Sequence, residues 1–323
     1  MMKSQTSPST GLLDHPLHGR VAAVLLVLLL ALPSVATALG EEFYIGLASR
    51  ILIFALAATS LNLILGFGGL VSFGHAAFIG IGGYTVGILM HHGVGSGWVA
   101  WPMAVVIGGL FALVIGAISL RTRGVYFIMI TLAFAQMLYY LMVSLPDYGG
   151  EDGLSLPKRS SVGVVNLQDD ATFYYVVLGL GLIVFVGLQR LLNARFGQVL
   201  QCVRENETRM AAIGFPVYRY QLIAFVIAGA LAGLAGALVA NQSGIVSPSL
   251  MHWSQSGSLM VMVIVGGVGH LYGGLVGAVV LLLLEEIALG YTIHWQFGVG
   301  AVLLLVVLVA PRGLIGLVTR RKS

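Results

Sequence analysis

The chain has 323 residues, 58% of them apolar and only 9% charged, with a mean hydropathy of +0.99. An ordinary soluble domain carries about 25% charged residues, so this composition excludes a soluble enzyme of this size and a disordered tail protein. The net charge of +4 does not indicate a nucleic-acid binder, because the 16 Lys and Arg are dispersed at the ends of apolar runs.

A bilayer core needs about 20 apolar residues per spanning helix. From Ile51 to Leu120 there is no Asp, Glu, Lys or Arg. As one helix that stretch would reach roughly 105 Å, so it must fold back on itself. The same holds from Tyr220 to Leu284. The apolar runs lack the alternation of a lipid-facing barrel. The pattern predicts an all-α integral membrane protein with about ten transmembrane helices, some broken at glycine-rich segments. The crossings fall near 21–39, 44–66, 69–90, 98–120, 124–145, 171–190, 221–241, 257–269, 271–289 and 294–311. The eighth is short enough to be re-entrant. Residues 1–20 and the basic tail 312–323 flank a single transmembrane domain, 21–311.

Ala36-Thr37-Ala38, after the first apolar run, resembles a small-residue cleavage site. That run, from Val21, is longer than the apolar core of about 7–15 residues typical of a signal peptide, which favours a retained helix. Orientation follows from the basic residues. With a cytoplasmic N-terminus and this set of crossings, every Lys and Arg except Arg50, Lys158 and Arg159 lies inside. Glu41, Glu42, Asp147, Glu151, Asp152, Asp169, Asp170, Glu285 and Glu286 lie outside, and the C-terminus returns to the cytoplasm.

Four stretches carry information beyond hydropathy. The first is GFGGLVSFGHAAFIGIGGYTVG, Gly66 to Gly87. Each helical glycine costs about 1 kcal/mol relative to alanine, so Gly68 and Gly69 are expected to break the chain. A break at membrane depth survives only where it is buried in protein or lines a cavity. Ser72 and His75 sit in that break, either facing a pathway or bonded inside a tightly packed bundle. The second is the outer loop 146–170, with GGEDGL at Gly149 to Leu154, which either receives a soluble partner or caps the bundle.

The third is the inner loop 193–220. Val199, Leu200 and Val203 can share a face with Met210 and Ile213, leaving Arg204, Glu205, Glu207 and Arg209 exposed. Gly214 and Pro216 end the helix. Such an amphipathic helix either lies in the lipid interface or docks in a groove of another protein, and its mixed charge favours protein. A solvated connecting loop is the plainer alternative. The fourth, VGGVGHLYGGLVGA from Val265 to Ala278, echoes the first, Gly269-His270 standing for Gly74-His75. Two interrupted segments in two halves of a chain point to a transport pathway. Asn62, Ser72, Gly74, His75, Gly269 and His270 are its candidate residues.

No phosphate-binding loop, zinc-protease motif or serine-hydrolase elbow occurs in the sequence. No acid or base sits mid-span, where ion coupling or a proton relay would place one. The chain is therefore expected to take its energy from another subunit rather than hydrolyse ATP, with no cofactor or metal of its own. A self-sufficient ion-coupled carrier or channel is the rival from another class.

At these stretches the chain resembles permease subunits of branched-chain amino-acid ABC importers, specifically the LivM type. The matching pieces are LNLILGFGGLVSFGHAAFIGIGGYTVGIL, GGEDGL, RENETRMAAIGFPVYRYQLIAFVIAGALAGLAGAL and GGVGHLYGGLVGAVV, in order over about residues 50 to 312. The resemblance implies a bacterial inner-membrane permease and a second, homologous permease subunit. It also implies two cytoplasmic ABC ATPases and an extracytoplasmic substrate-binding protein. It assigns ATPase coupling to Arg204, Glu205, Asn206, Glu207 and Gly214. Gln198 and Gln201 stand where the family usually has arginines, which bears on the electrostatics of docking. The same superfamily imports urea, short amides and sugars.

Overall fold

In a computed structural model of the chain, residues 19–38, 40, 42–163, 166–291, 294–310 and 313–319 are described. The long helices are α1 (Gly19–Ala38), α2 (Phe43–Asn62), α3 (His75–His91), α4 (Gly97–Ser119), α5 (Val125–Val143) and α6 (Asp170–Asn193). After two short helices, α7 (Arg195–Glu205) and α8 (Glu207–Ala212), come α9 (Val217–Ser243), α10 (Trp253–Gly266), α11 (Gly273–Tyr291), α12 (Trp295–Val309) and the short α13 (Gly313–Thr319).

The protein is an all-α membrane protein. Six described helices are long and apolar enough to cross a bilayer: α2 with its extension to Phe67, α4, α5, α6, α9 and α11. Helices also occupy the four other predicted crossings. These are α1, of 20 residues with Pro33 inside it, and α3, α10 and α12, of 17, 14 and 15 residues. The large side chains left outside the bundle are apolar, including Val106, Leu110 and Val114 of α4, Met129 and Met137 of α5, and Leu304 and Leu308 of α12. An exposed apolar area of that extent belongs against lipid rather than water.

The core is organised around α9, which packs on α4, α3 and α2. Lipid tails are as apolar as leucine, so helices in a bilayer associate through close van der Waals contact, favoured by small residues. A Cβ added at Gly82 would strike the Gly233 carbonyl oxygen, and one at Gly236 would strike that of Ile79, so α3 and α9 touch backbone to backbone. Gly108 and Ala112 bring α4 equally close to Gly229. A second seam joins α10 to α11, where Gly277 lies on the Met262 carbonyl, and α11 to α2, where Gly274 lies on Thr59.

The bundle has two differently built ends. The loop end carries residues 146–170. Two very short strands form there, β1 (Leu154–Ser155) and β2 (Ile245–Val246), paired antiparallel with Leu154 opposite Val246. They lie in loops, outside the apolar runs. Arg159, expected in an outer loop as an exception to the charge rule, is largely covered. It donates to the carbonyls of Asn241 at 3.1 Å and Leu167 at 3.0 Å, pairs with Asp170 at 2.5 Å and lies over the Phe173 ring at 4.7 Å. Asn241 in turn accepts the Ser160 amide at 2.7 Å. Asp169 caps α6, accepting from the Thr172 amide at 2.9 Å and hydroxyl at 2.6 Å, and the Thr172 hydroxyl bond is the main cause of a carboxyl pKa below its ordinary value.

The elbow end carries α7 and α8. The sequence pattern suggested one amphipathic helix, but the chain breaks at Asn206, whose side chain accepts the Arg209 amide at 2.8 Å and so caps α8. Asn is among the strongest N-cap residues. Leu200, Val203 and Met210 are buried as expected, whereas Ile213 is 64% exposed. The chain reverses at Gly214 (φ +92°), which aims Ile213 outward instead of onto the shared apolar face.

Candidate functional site at the elbow and the two glycine breaks

The first break begins with a π-helical turn, Leu63–Phe67, that extends α2. Such turns are rare and cluster at functional sites. Gly69 follows in a left-handed conformation (φ +70°), open to an L side chain only at a cost. The second break lies between α10 and α11, with Gly267 at φ +128° and Gly269 at φ +77°. The sequence echo between the breaks is only partial. Gly74 keeps φ −92° and His75 opens α3 directly, while His270 stands in the turn that precedes α11.

Backbone polar groups freed inside a bundle must find partners, and here they do. The Gly68 amide bonds back to Leu63 at 3.1 Å and the Leu70 amide to Ile64 at 2.9 Å. The Asn62 side chain, buried at the end of α2, closes the gap between the breaks. Its Nδ2 donates to the His270 carbonyl at 2.8 Å, and its Oδ1 accepts the Gly269 amide at 3.1 Å. The Arg204 guanidinium, from α7, donates to the Gly66 carbonyl. The Arg204 stem lies on Gly69, where an added Cβ would stand 3.0 Å from its Cγ. An added Cβ at Gly269 would come within 2.8 Å of the Arg204 Nη1. Asn62, Gly269, His270 and Arg204, expected in two separate roles, therefore meet at one place, the first three joined by hydrogen bonds and Arg204 bonded to Gly66 beside them.

The other pathway candidates form a second group, fully packed. Ser72 is buried and accepts the Gly74 amide at 3.3 Å. A Cβ at Gly74 would stand 2.6 Å from the Thr131 carbonyl oxygen of α5. His75 is buried, with its Nε2 2.8 Å from the Ser60 hydroxyl. That hydroxyl also donates to the Ala57 carbonyl at 2.7 Å. Nδ1 has no hydrogen-bond partner among the described residues. The start of α3 is completed by Ser256 of α10, whose hydroxyl accepts the Ala76 amide at 2.9 Å. Ser60, Thr131 and Ser256 carry no local sign of this role: Ser60 and Thr131 lie in apolar runs, Ser256 in the polar stretch before one, and each meets the break only through the packing of distant helices.

Of the remaining elbow residues, Glu205 is exposed, Asn206 serves as the α8 cap and Gly214 makes the reversal. Glu207 was expected to be exposed; it is half-buried and pairs with Arg123 of the α4–α5 turn at 2.9 Å. The Tyr218 hydroxyl, at the start of α9, donates to the Ala117 carbonyl of α4 at 3.0 Å.

A glycine-broken helical bundle whose breaks are tied to an amphipathic surface elbow defines a polytopic membrane protein of the transport type. Residues 43–310 match the family described as branched-chain amino acid transport system / permease component, and the chain belongs to that family. It is 28% identical over 297 residues to the high-affinity branched-chain amino acid transport system permease protein LivM of Salmonella typhimurium, covering 84% of this chain and 69% of the relative. The LivM protein of Escherichia coli matches to the same extent. The LivH permease protein of Escherichia coli is 23% identical over 286 residues, covering 81% of this chain and 91% of the relative. No solved structure matches the chain significantly.

Proposed function

We propose that the chain is a non-catalytic permease subunit of an ABC importer that moves branched-chain or similar small neutral amino acids into the cytoplasm. The match to the permease family over residues 43–310 carries this reading. ATP is bound and hydrolysed by two partner ATPases. A second, homologous permease completes the membrane unit, in keeping with relatives named both LivM and LivH. An extracytoplasmic binding protein delivers the solute.

In this reading α1, α3, α10 and α12 also cross the membrane, giving about ten crossings. The elbow end faces the cytoplasm with both termini, as the basic residues require. The contact of α1 with α6, where the Tyr174 hydroxyl donates to the Leu29 carbonyl at 2.9 Å, supports a retained first helix. Asn62, Ser72, Gly74, His75, Gly269 and His270 line or gate the pathway. The elbow from Arg204 to Gly214 receives the ATPases, with exposed Ile213 and Phe215 as its apolar surface. Alternation between two states requires ligands that bind them unequally, here ATP and the loaded binding protein.

The test is uptake of radiolabelled leucine by the co-expressed complex in liposomes. Uptake should require ATP and the binding protein, and Glu205→Ala and Gly214→Val should abolish it while the chain still inserts. Ion-driven flux by the purified chain alone, or uptake of urea in place of leucine, would refute the reading.

A further inference from the structure

The Arg204 side chain reaches from α7 to the first glycine break, and it does so at the point where the second break is also attached. We propose that Arg204 is a positioning residue for transport, a strut that makes the elbow, the α2–α3 break and the α10–α11 break move as one body. This extends the function proposed above and rests on it. Three observations converge. The guanidinium holds the carbonyl of Gly66, inside the π-helical turn. Its stem covers Gly69, leaving the left-handed residue backed by Arg204 rather than by its own helix. Asn62, one turn before Gly66, holds both Gly269 and the His270 carbonyl, so a pull on Gly66 is shared by a segment more than two hundred residues away.

The chemistry suits transmission better than surface docking. A guanidinium is a rigid planar fork that stays charged, and its bond to a carbonyl is stronger than a neutral one. The Gly66 carbonyl belongs to a turn whose regular helical bonding is already disturbed, so Arg204 supplies a partner the helix lacks. Glu207, one residue past the Asn206 cap, ties the same elbow to Arg123. The elbow is thus gripped from the α4–α5 turn on one side and grips the breaks on the other.

The experiment uses the whole importer complex in nanodiscs, comparing the native chain with Arg204→Gln, Arg204→Lys, Asn62→Ala and the Arg204→Gln/Asn62→Ala double variant. Two quantities are read: solute moved per ATP hydrolysed, and hydrogen exchange over residues 63–74. Arg204→Gln and Asn62→Ala should each lower the transport ratio about tenfold, the loss expected when one charged hydrogen bond or two neutral ones are removed. They should also speed exchange over the break. Lysine, which can donate to the same carbonyl, should restore part of both. The double variant should be no worse than the worse single one.

An unchanged ratio, unchanged exchange, or ATPases that fall away from the Arg204→Gln complex would overturn the strut; the last outcome would place Arg204 on the docking surface. A native complex that moves no amino acid on ATP refutes the function above instead, and the exchange comparison then decides the strut alone.

Discussion

Each end of the bundle is organised by an arginine that grips backbone carbonyls, and the two are built to opposite tolerances. Arg159 at the loop end has carbonyls on two segments, a carboxylate and an aromatic face, and only 17% of its side chain is exposed. Asn241 doubles the attachment of α9 to the loop. Arg204 at the elbow end is exposed and holds one carbonyl. A group with many partners fixes everything it touches in one arrangement, whereas a single bond ties two parts to each other without fixing either to the rest of the bundle. The loop end is a fixed cap and the elbow end is a joint. The same molecule thus has its rigid attachment and its single-bond link at opposite ends of the bundle.

Substitutions should reproduce that contrast. Arg159→Ala leaves several covered acceptors unpaired, each worth about 1–3 kcal/mol, so thermal unfolding in detergent should show a loss of about 4 kcal/mol. A stability within error of the native chain would mean the cap is held elsewhere. Gly153 and Gly69 offer a matched pair, both with positive φ. A Cβ at Gly153 would also strike the Val246 carbonyl of β2, while one at Gly69 meets a flexible stem. Gly153→Ala should therefore cost about 3 kcal/mol and Gly69→Ala only the left-handed strain of about 1 kcal/mol. Equal costs would erase the distinction between cap and joint. Smallest of all, Glu207→Gln breaks a pair whose Arg123 side chain is 75% exposed. It should shift stability by about 0.5 kcal/mol at low ionic strength and by nothing measurable at high salt.

Much of the scaffold was readable from the chain. Long apolar runs predicted about ten crossings, of which six are helices long and apolar enough to cross, and the glycine pair at 68–69 and the glycine-rich echo from Val265 to Ala278 pointed to the breaks, since dense glycine opposes a uniform helix. Harder to read were the partners. Asn62 was a candidate through its neighbourhood alone. Its bonds to Gly269 and His270 arise from tertiary packing that no periodicity encodes. Arg204 fell correctly on a polar face, but a helical wheel cannot say whether a long side chain reaches to a partner protein or back to a carbonyl of its own chain. The split at Asn206 did have a local signature. Asn before Glu-Thr-Arg is a cap sequence, outweighed in the reading by the amphipathic pattern on either side. Arg159 was visible as a cation among acidic residues, though its burial was not.

α9 has 27 residues and so measures about 40 Å. It starts immediately after the elbow, is clasped halfway by glycine contacts with α3 and α4, and finishes at Asn241 beneath the cap. With its middle wedged between α3 and α4 and its far end held under the loops, α9 is one unbroken rod from the elbow to the opposite end of the bundle. A displacement along its axis where Tyr218 meets Ala117 would reach the cap with no relay of intermediate side chains.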